Sequence, residues 1–379
     1  MTLASAASAW ATQGIFFPSQ AQAGLSARVA ETKVITPPSE MYHGWPTLAR
    51  RSNGDLWVSW SGGREAHVCP FGQVWAMHSN DEGRNWSWPR VLLDGAIDDR
   101  DSGIVETQRG TLLVTTFTSL AYEATLKKQL AQPTWEAARI ARWKAAHDRI
   151  SPDQRKEELG EFLIRSTDGG VTWSERIPTI VNSPHGPVVL QDGRMLYAGK
   201  QLWTKDRKVG VCESLDDGKS WRWLSEIPVR PGDSVQEYHE LHAVESSNGL
   251  VVVHIRNHNS QNKMETLQCV STDGGKTWTE PCSIGVWGLP SHLLRLRDGR
   301  LLMTYGHRRA PYGNLARVSG DHGQTWSAPV TISDDAFSWD FGYPSTVELQ
   351  DGSLLTIWYE RQSAQTPSAV LRQARWTLQ

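Results

Sequence analysis

Short runs of alternating apolar and polar residues fill most of this chain, and glycine turns break them at regular intervals. Leu293 to Leu296 and Leu301 to Tyr305 flank the turn Asp298-Gly299, the pattern of a β-hairpin. Equivalent turns stand at Asn53-Gly54, Arg109-Gly110, Asp192-Gly193, Asn248-Gly249 and Asp351-Gly352. A second pattern, Ser-x-Asp-x-Gly-x-(Thr/Ser/Asn)-Trp, recurs at Ser79 to Trp86, Ser166 to Trp173, Ser214 to Trp221, Ser271 to Trp278 and Ser319 to Trp326. Its Asp is suited to accept hydrogen bonds from its own turn, its Gly to adopt positive φ, and its Trp to cover a neighbouring module. These roles are structural. Each module then reads as hairpin, third strand, box turn and fourth strand.

A recurring unit of this size implies modules arranged around an axis or in a stack. The expected fold is all-β, a six-bladed β-propeller over residues 27–379, with a strand near Ala27 to Ile35 completing the last sheet. Between residues 121 and 160 the pattern changes to helical spacing, with Leu126, Leu130, Trp135, Ile140 and Trp143 on it and Pro152 as a break. This predicts a helical insertion between the second and third strands of blade two, serving as a lid or pocket wall, or as surface decoration.

Composition narrows the function. The chain is 39% hydrophobic and 21% charged with a formal net charge of −2, which leaves no electrostatic footprint for nucleic acid. No run approaches the ~20 apolar residues of a membrane span. The four cysteines lack CxxC spacing, so no metal or other cofactor is expected from them. Cys269 and Cys282 flank one box, where a disulfide across its hairpin is one reading. Leu3 to Phe17 is small and apolar, and Ala21-Gln22-Ala23 follows. Residues 1–23 thus read as the remnant of an export signal, predicting a periplasmic or extracellular protein.

Candidate chemistry emerges when the modules are aligned on their hairpin glycines. Nine residues earlier stand Trp45, Asp101, Pro184, Glu240, Pro290 and Tyr343; two residues further on come Thr47, Gly103, Gly186, His242, His292 and Ser345. In a propeller these positions begin the innermost strands and meet at one rim. The returning strands offer Arg64, Lys200, Arg256, His307, Arg308, Arg309 and Glu360 there. Arg64, Arg256 and Arg308 or Arg309 stand in matching positions, suited to holding one carboxylate. His43, His185, His239, His242 and His292 fall near the same rim, as hydrogen-bonded pocket walls, as groups for proton transfer in an eliminase or another exo-glycosidase, or as metal ligands.

The repeated box is the Asp-box, and the chain resembles the sialidase (neuraminidase) superfamily from about Lys33 onward. Glu240-Leu241-His242-Ala243-Val244-Glu245, followed by Arg256, looks like the stretch carrying the family's catalytic Glu and second carboxylate-binding arginine. Gly342-Tyr343-Pro344-Ser345 is similar to the stretch holding its tyrosine nucleophile, and Arg308 or Arg309 would supply the third arginine. The resemblance implies an exported retaining exo-glycosidase. Glu240 would take the Tyr343 proton while the phenolate attacks the anomeric carbon of a terminal acidic sugar of sialic-acid type. Substrate contacts would come from Arg64, Arg256, Arg308, Arg309, His43, His67, His185, His242 and His292. Two positions depart from the family pattern. Gly44-Trp45-Pro46 stands where an Arg-Ile-Pro motif belongs, and the segment from Gly63 to Pro70 lacks the family's acid/base Asp. Asp101, Glu65 and His67 remain as candidates for that acid. The alternatives are a propeller glycosidase or polysaccharide lyase for another acidic sugar, and a non-catalytic carbohydrate-binding propeller.

Overall fold

Gly299 adopts φ 89° between strands Ser291–Arg295 and Leu301–His307, whose register pairs Arg295 with Leu301 and Ser291 with Tyr305. Hairpins of this kind build the sheets of the molecule, a computed structural model that describes residues 24–363, 365 and 367–379. Four separate four-stranded sheets begin with strands Asp98–Glu106, Val188–Val189, Tyr238–Glu245 and Ser291–Arg295. The remaining strands form one sheet of eight.

This corrects the expectation of a six-bladed propeller. Strands Tyr42–Arg50 to Arg90–Leu93 and strands Phe341–Glu348 to Ala369–Leu378 join into the eight-stranded sheet through the parallel pair Tyr42 and Ala369. Ala369 is fully buried, and its N–H donates to the Met41 carbonyl at 3.3 Å. With only a methyl side chain there, the two strands approach closely enough to pair. Strand Ala27–Val34 lies antiparallel on Ala369–Leu378, with Ala27 opposite Leu378. Among the described residues the β-propeller therefore has four separate four-stranded blades and one eight-stranded sheet, with the innermost strands facing a common axis.

The boxes tie the sheets together. Ser271 Oγ donates to Asp273 Oδ1 at 2.8 Å and accepts the Gly275 N–H at 2.8 Å, while Asp273 accepts from the backbone and hydroxyl of Thr277. Trp278 Nε1 then reaches Ser225 Oγ of the preceding sheet at 2.9 Å, and Trp326 Nε1 reaches Gln268 in the same way. Aliphatic and aromatic clusters pack within the eight-stranded sheet, around the fully buried Trp60, and between that sheet and its neighbour, around Trp358 and Trp376.

Helices Tyr122–Ala131, Ala137–Asp148 and Pro152–Glu157 lie between strands Leu112–Ser119 and Glu161–Ser166. Ser151 caps the third helix in a reciprocal capping box with Gln154. Tyr122, Leu126 and Trp143 pack on Cys69, in the segment that follows Arg64. Cys269 and Cys282 form no disulfide: strand register sets Cys282 opposite Gln268 instead, and all four thiols are free. No helix among the described residues is long and apolar enough to cross a membrane. The expected export signal, residues 1–23, lies outside the described residues.

Candidate active site

A β-bulge interrupts several innermost strands near their starts. Register slips occur between Gly44 and Thr47, Arg100 and Gly103, His239 and Leu241, and Gly342 and Ser345. Within each slip one residue takes a left-handed backbone: Trp45 at φ 55°, Asp101 at 48°, Glu240 at 22° and Tyr343 at 53°. These are four of the positions aligned on the hairpin glycines. Bulges re-aim side chains and left-handed non-glycine residues store strain, a combination concentrated at functional sites. The other two aligned positions are Pro184 and Pro290, whose rings fix φ near −65° and exclude this conformation.

Glu240, Tyr343 and Arg256 come together. Tyr343 Oη donates to Glu240 Oε1 at 2.5 Å, and Arg256 Nη1 donates to Glu240 Oε2 at 2.5 Å and to Tyr343 Oη at 3.1 Å. Burial pushes the Glu240 carboxyl up, but Arg256 and the Tyr343 hydroxyl outweigh it and hold the group below the ordinary carboxylate value. Burial raises the Tyr343 phenol well above its ordinary value, reinforced by the Glu240 charge and opposed by Arg256. The resting pair is thus a carboxylate accepting from a neutral phenol.

Asp101 shares this electrostatic neighbourhood. Burial raises its carboxyl to about 7; Arg100, Arg64 and Arg256 oppose the rise, and Glu240 adds to it. Arg308 lies 5.9 Å from the Tyr343 ring centroid and donates to the Phe341 carbonyl at 3.0 Å. Arg309 is exposed and stacks 3.7 Å from the Trp287 ring, away from Tyr343. Of the two candidates, Arg308 is the one beside the phenol.

Arg64 is committed elsewhere. Fully buried, it forms a forked ion pair with Asp98 at 2.6 and 3.1 Å and donates to the His67 carbonyl at 3.1 Å. Its guanidinium and that of Arg100 lie 5.0 and 4.7 Å from the Trp45 ring. Trp45 also packs against His67 and Tyr359 and is only 2% exposed, so an indole fills the place where the family pattern has an arginine.

The remaining candidates divide between roles. Glu65 accepts from Arg139, Arg142 and Trp143, anchoring the helical insertion to the segment after Arg64. His67 Nδ1 meets Asp340 at 3.1 Å and the Tyr42 hydroxyl at 2.8 Å. Tyr42 and Tyr359 both donate to Asp340 at 2.9 Å. His43 is buried and accepts from Trp60 Nε1 at 2.9 Å. His185, His242 and His292 cluster beneath Tyr343, with ring centroids 4.6 to 5.3 Å apart and His185 6.4 Å from the tyrosine. His242 Nδ1 accepts the Leu293 N–H at 2.9 Å. Burial lowers all three, His292 to about 3, so they form a neutral floor.

Alignment on the hairpin glycines missed Arg100, Asp340 and Tyr359. Arg100 adjoins an aligned position, and the density of Asp98-Asp99-Arg100-Asp101 was its available signal. Asp340 lies before its strand, where no strand periodicity marks it. Glu360 accepts from Trp358 and Arg372 within its own sheet, and His307 packs on Trp287.

Residues 149–356, more than half of the chain, match the BNR repeat-like domain. A xyloglucanase of Paenibacillus sp is 27% identical over 56% of this chain and 23% of its own length. A sialidase of Bacteroides fragilis is 24% identical over 52% of this chain and 39% of its own. The chain thus spans well under half of either curated relative. A solved structure of a Dyadobacter fermentans protein of unknown function superposes with a TM-score of 0.75 at 21% identity, covering 93% of this chain and 100% of that one. With this match over the repeated modules, the chain belongs to the BNR repeat-like domain family, within the sialidase/BNR-repeat propeller superfamily.

Proposed function

We propose that the protein is a retaining glycosidase that removes a terminal acidic sugar from a glycan, with Tyr343 as nucleophile and Glu240 as its base. The observation that carries this reading is the hydrogen bond from Tyr343 Oη to Glu240 Oε1 at 2.5 Å, beneath the shared Arg256 guanidinium. A free phenol, with a pKa near 10, is a poor nucleophile at neutral pH and needs an adjacent base. Burial makes it weaker still as an acid. Proton transfer to Glu240 therefore accompanies attack rather than preceding it.

In the first step Tyr343 Oη bonds to the anomeric carbon, its proton passes to Glu240 Oε1, and the glycosidic C–O bond breaks. Asp101, raised to about 7 chiefly by burial, gives its proton to the departing oxygen. Water then attacks the same carbon, Asp101 takes the water's proton, and the tyrosine oxygen leaves with the proton held by Glu240. Two inversions give retention, as for tyrosine-dependent members of the glycosidases. Arg256 and Arg308 would hold the sugar's carboxylate, and Arg256 also keeps Glu240 ionised.

One observation favours a substrate other than sialic acid. Trp45 fills the family's first-arginine place and Arg64 is consumed by Asp98, which leaves Arg256 and Arg308 beside Tyr343 to hold a carboxylate. A smaller uronic-acid-type sugar is the better match to that pair. Export is proposed with this function, because terminal glycan sugars are displayed outside cells.

The test is hydrolysis of aryl glycosides carrying sialic acid, glucuronic acid or a neutral sugar, comparing the wild type with Tyr343→Phe. Retained configuration in the product and loss of turnover in Tyr343→Phe support the reading. Undiminished turnover in that variant overturns the mechanism. A 4,5-unsaturated product identifies a lyase instead.

A further inference from the structure

Beside the pocket, a group of side chains has no part in that mechanism. The turn Val235–Glu237 leads into strand Tyr238–Glu245, and the adjacent strand Val251–Asn257 ends one residue before His258. The His258 N–H donates to the Glu237 carbonyl at 2.9 Å, extending the ladder that pairs Tyr238 with Asn257 and His239 with Arg256. This pairing places the carboxylate of Glu237 and the imidazoles of His239 and His258 on one edge. One ligand atom of each lies within 4.8 Å of the others, and the two rings are 4.9 Å apart.

We propose that Glu237, His239 and His258 bind a divalent transition-metal ion of zinc type at the rim of the pocket. Two imidazoles and one carboxylate are a ligand set that zinc accepts, leaving a fourth position open to water or a ligand. Bonds of about 2.0–2.2 Å need ligand atoms roughly 3.4 Å apart in a tetrahedron. Rotation of the exposed Glu237 side chain supplies the closure, while both rings are held half-buried. The carrying turn is itself fixed: Lys200 Nζ donates to the carbonyls of Val235, Gln236 and Tyr238 at 3.4, 2.7 and 3.0 Å.

The site also has a built-in competitor. Arg256 Nε donates to His258 Nε2 at 3.0 Å. A neutral imidazole has one nitrogen lone pair, so it cannot accept from Arg256 and ligate a metal at once. Metal at either nitrogen of His258 breaks the Arg256 bond. Occupancy of the rim is thereby coupled to the guanidinium that holds Glu240 and Tyr343. Metal binding at this rim does not depend on which reaction the pocket performs.

The experiment titrates the full-length, chelator-stripped protein with Zn²⁺ or Ni²⁺ against a chromophoric competitor, alongside His239→Ala, His258→Gln, Glu237→Gln and a distant His78→Gln control. The site predicts one ion per chain, a loss of at least ~10-fold in affinity for either histidine variant and a smaller loss for Glu237→Gln. His78→Gln binds as the wild type does. Thermal melting checks that each variant is folded, and imidazole NMR of the wild type reports which rings shift with metal. Absence of stoichiometric binding, binding that survives both histidine changes, or metal-induced shifts at rings other than His239 and His258 each overturn the proposal.

Discussion

The Tyr343 hydroxyl is held between two groups of opposite charge: it donates to Glu240 at 2.5 Å and accepts from Arg256 at 3.1 Å. The phenol is poised to lose its proton only along one direction, toward Oε1. Replacing the hydroxyl by hydrogen removes both contacts while keeping the ring that packs on Trp45 and Tyr359. Tyr343→Phe should therefore lower kcat/KM by about a thousandfold or more while changing stability by only about 1 kcal/mol. Steady-state kinetics and urea unfolding of the same preparation separate the two effects.

Glu240→Gln should retain the geometry but lose the proton acceptor. A general base contributes about 10²–10⁴-fold, so kcat should fall within that range. An activated substrate with a good leaving group should not rescue it, since nucleophile activation is what has been lost. Rescue would assign Glu240 to leaving-group protonation.

Asp101 has a defined pH signature. Its folded carboxyl titrates at about 7, above the ordinary carboxylate value, so the folded chain holds the proton more tightly than the unfolded chain. Its contribution to stability is full below about pH 4 and is lost as pH rises through about 7. Asp101→Asn removes this loss, so its stability relative to wild type should increase between about pH 4 and pH 7. The same change should abolish the alkaline fall in kcat/KM if Asp101 is the acid. Chemical unfolding across pH and a pH–rate profile provide the two readouts.

Arg64 should behave as a structural cation. It and Asp98 are both fully enclosed at 2.6 Å, and breaking a buried pair from one side costs about 3–5 kcal/mol. Arg64→Met should cause a large loss of stability. Arg64→Lys should recover little, because the fork to both Asp98 oxygens cannot be made by an ammonium. A variant that stays fully stable but has a raised KM would reassign Arg64 to the ligand.

Asp273→Ala should cost about 1–2 kcal/mol by releasing the backbone and hydroxyl of Thr277. Its kcat/KM should not change, since the box lies at a sheet-to-sheet seam. Thermal melting and kinetics of the variant check this division of labour.

What the sequence revealed depended on the range of the interaction. Asp-boxes are local, so Ser271, Asp273 and Thr277 declare their turn within a few residues. Counting from hairpin glycines identified Trp45, Asp101, Glu240 and Tyr343 because equivalent modules repeat one backbone path. That count cannot show which anion each cation meets: Arg64 and Arg256 look alike in sequence, yet the first is fully enclosed with Asp98 while the second pairs with Glu240 beside Tyr343. Nor does it show that Ala369 is small and buried enough to let Tyr42–Arg50 pair with the last strand. Helical periodicity located the insertion, while the Glu65 contacts that fasten it are long-range and invisible to spacing.

Ala27–Val34 and Ala369–Leu378 are neighbours in space although almost the whole described chain separates them. Among the described residues this seam joins the two strands farthest apart in the chain, so its loop-closure entropy is large and it must form late in folding. During synthesis a ribosome-bound chain cannot fasten it until strand Ala369–Leu378 has emerged. Until then the edge of Leu354–Arg361 is unpaired and able to recruit another nascent copy, so chaperone demand should peak just before Ala369–Leu378 emerges.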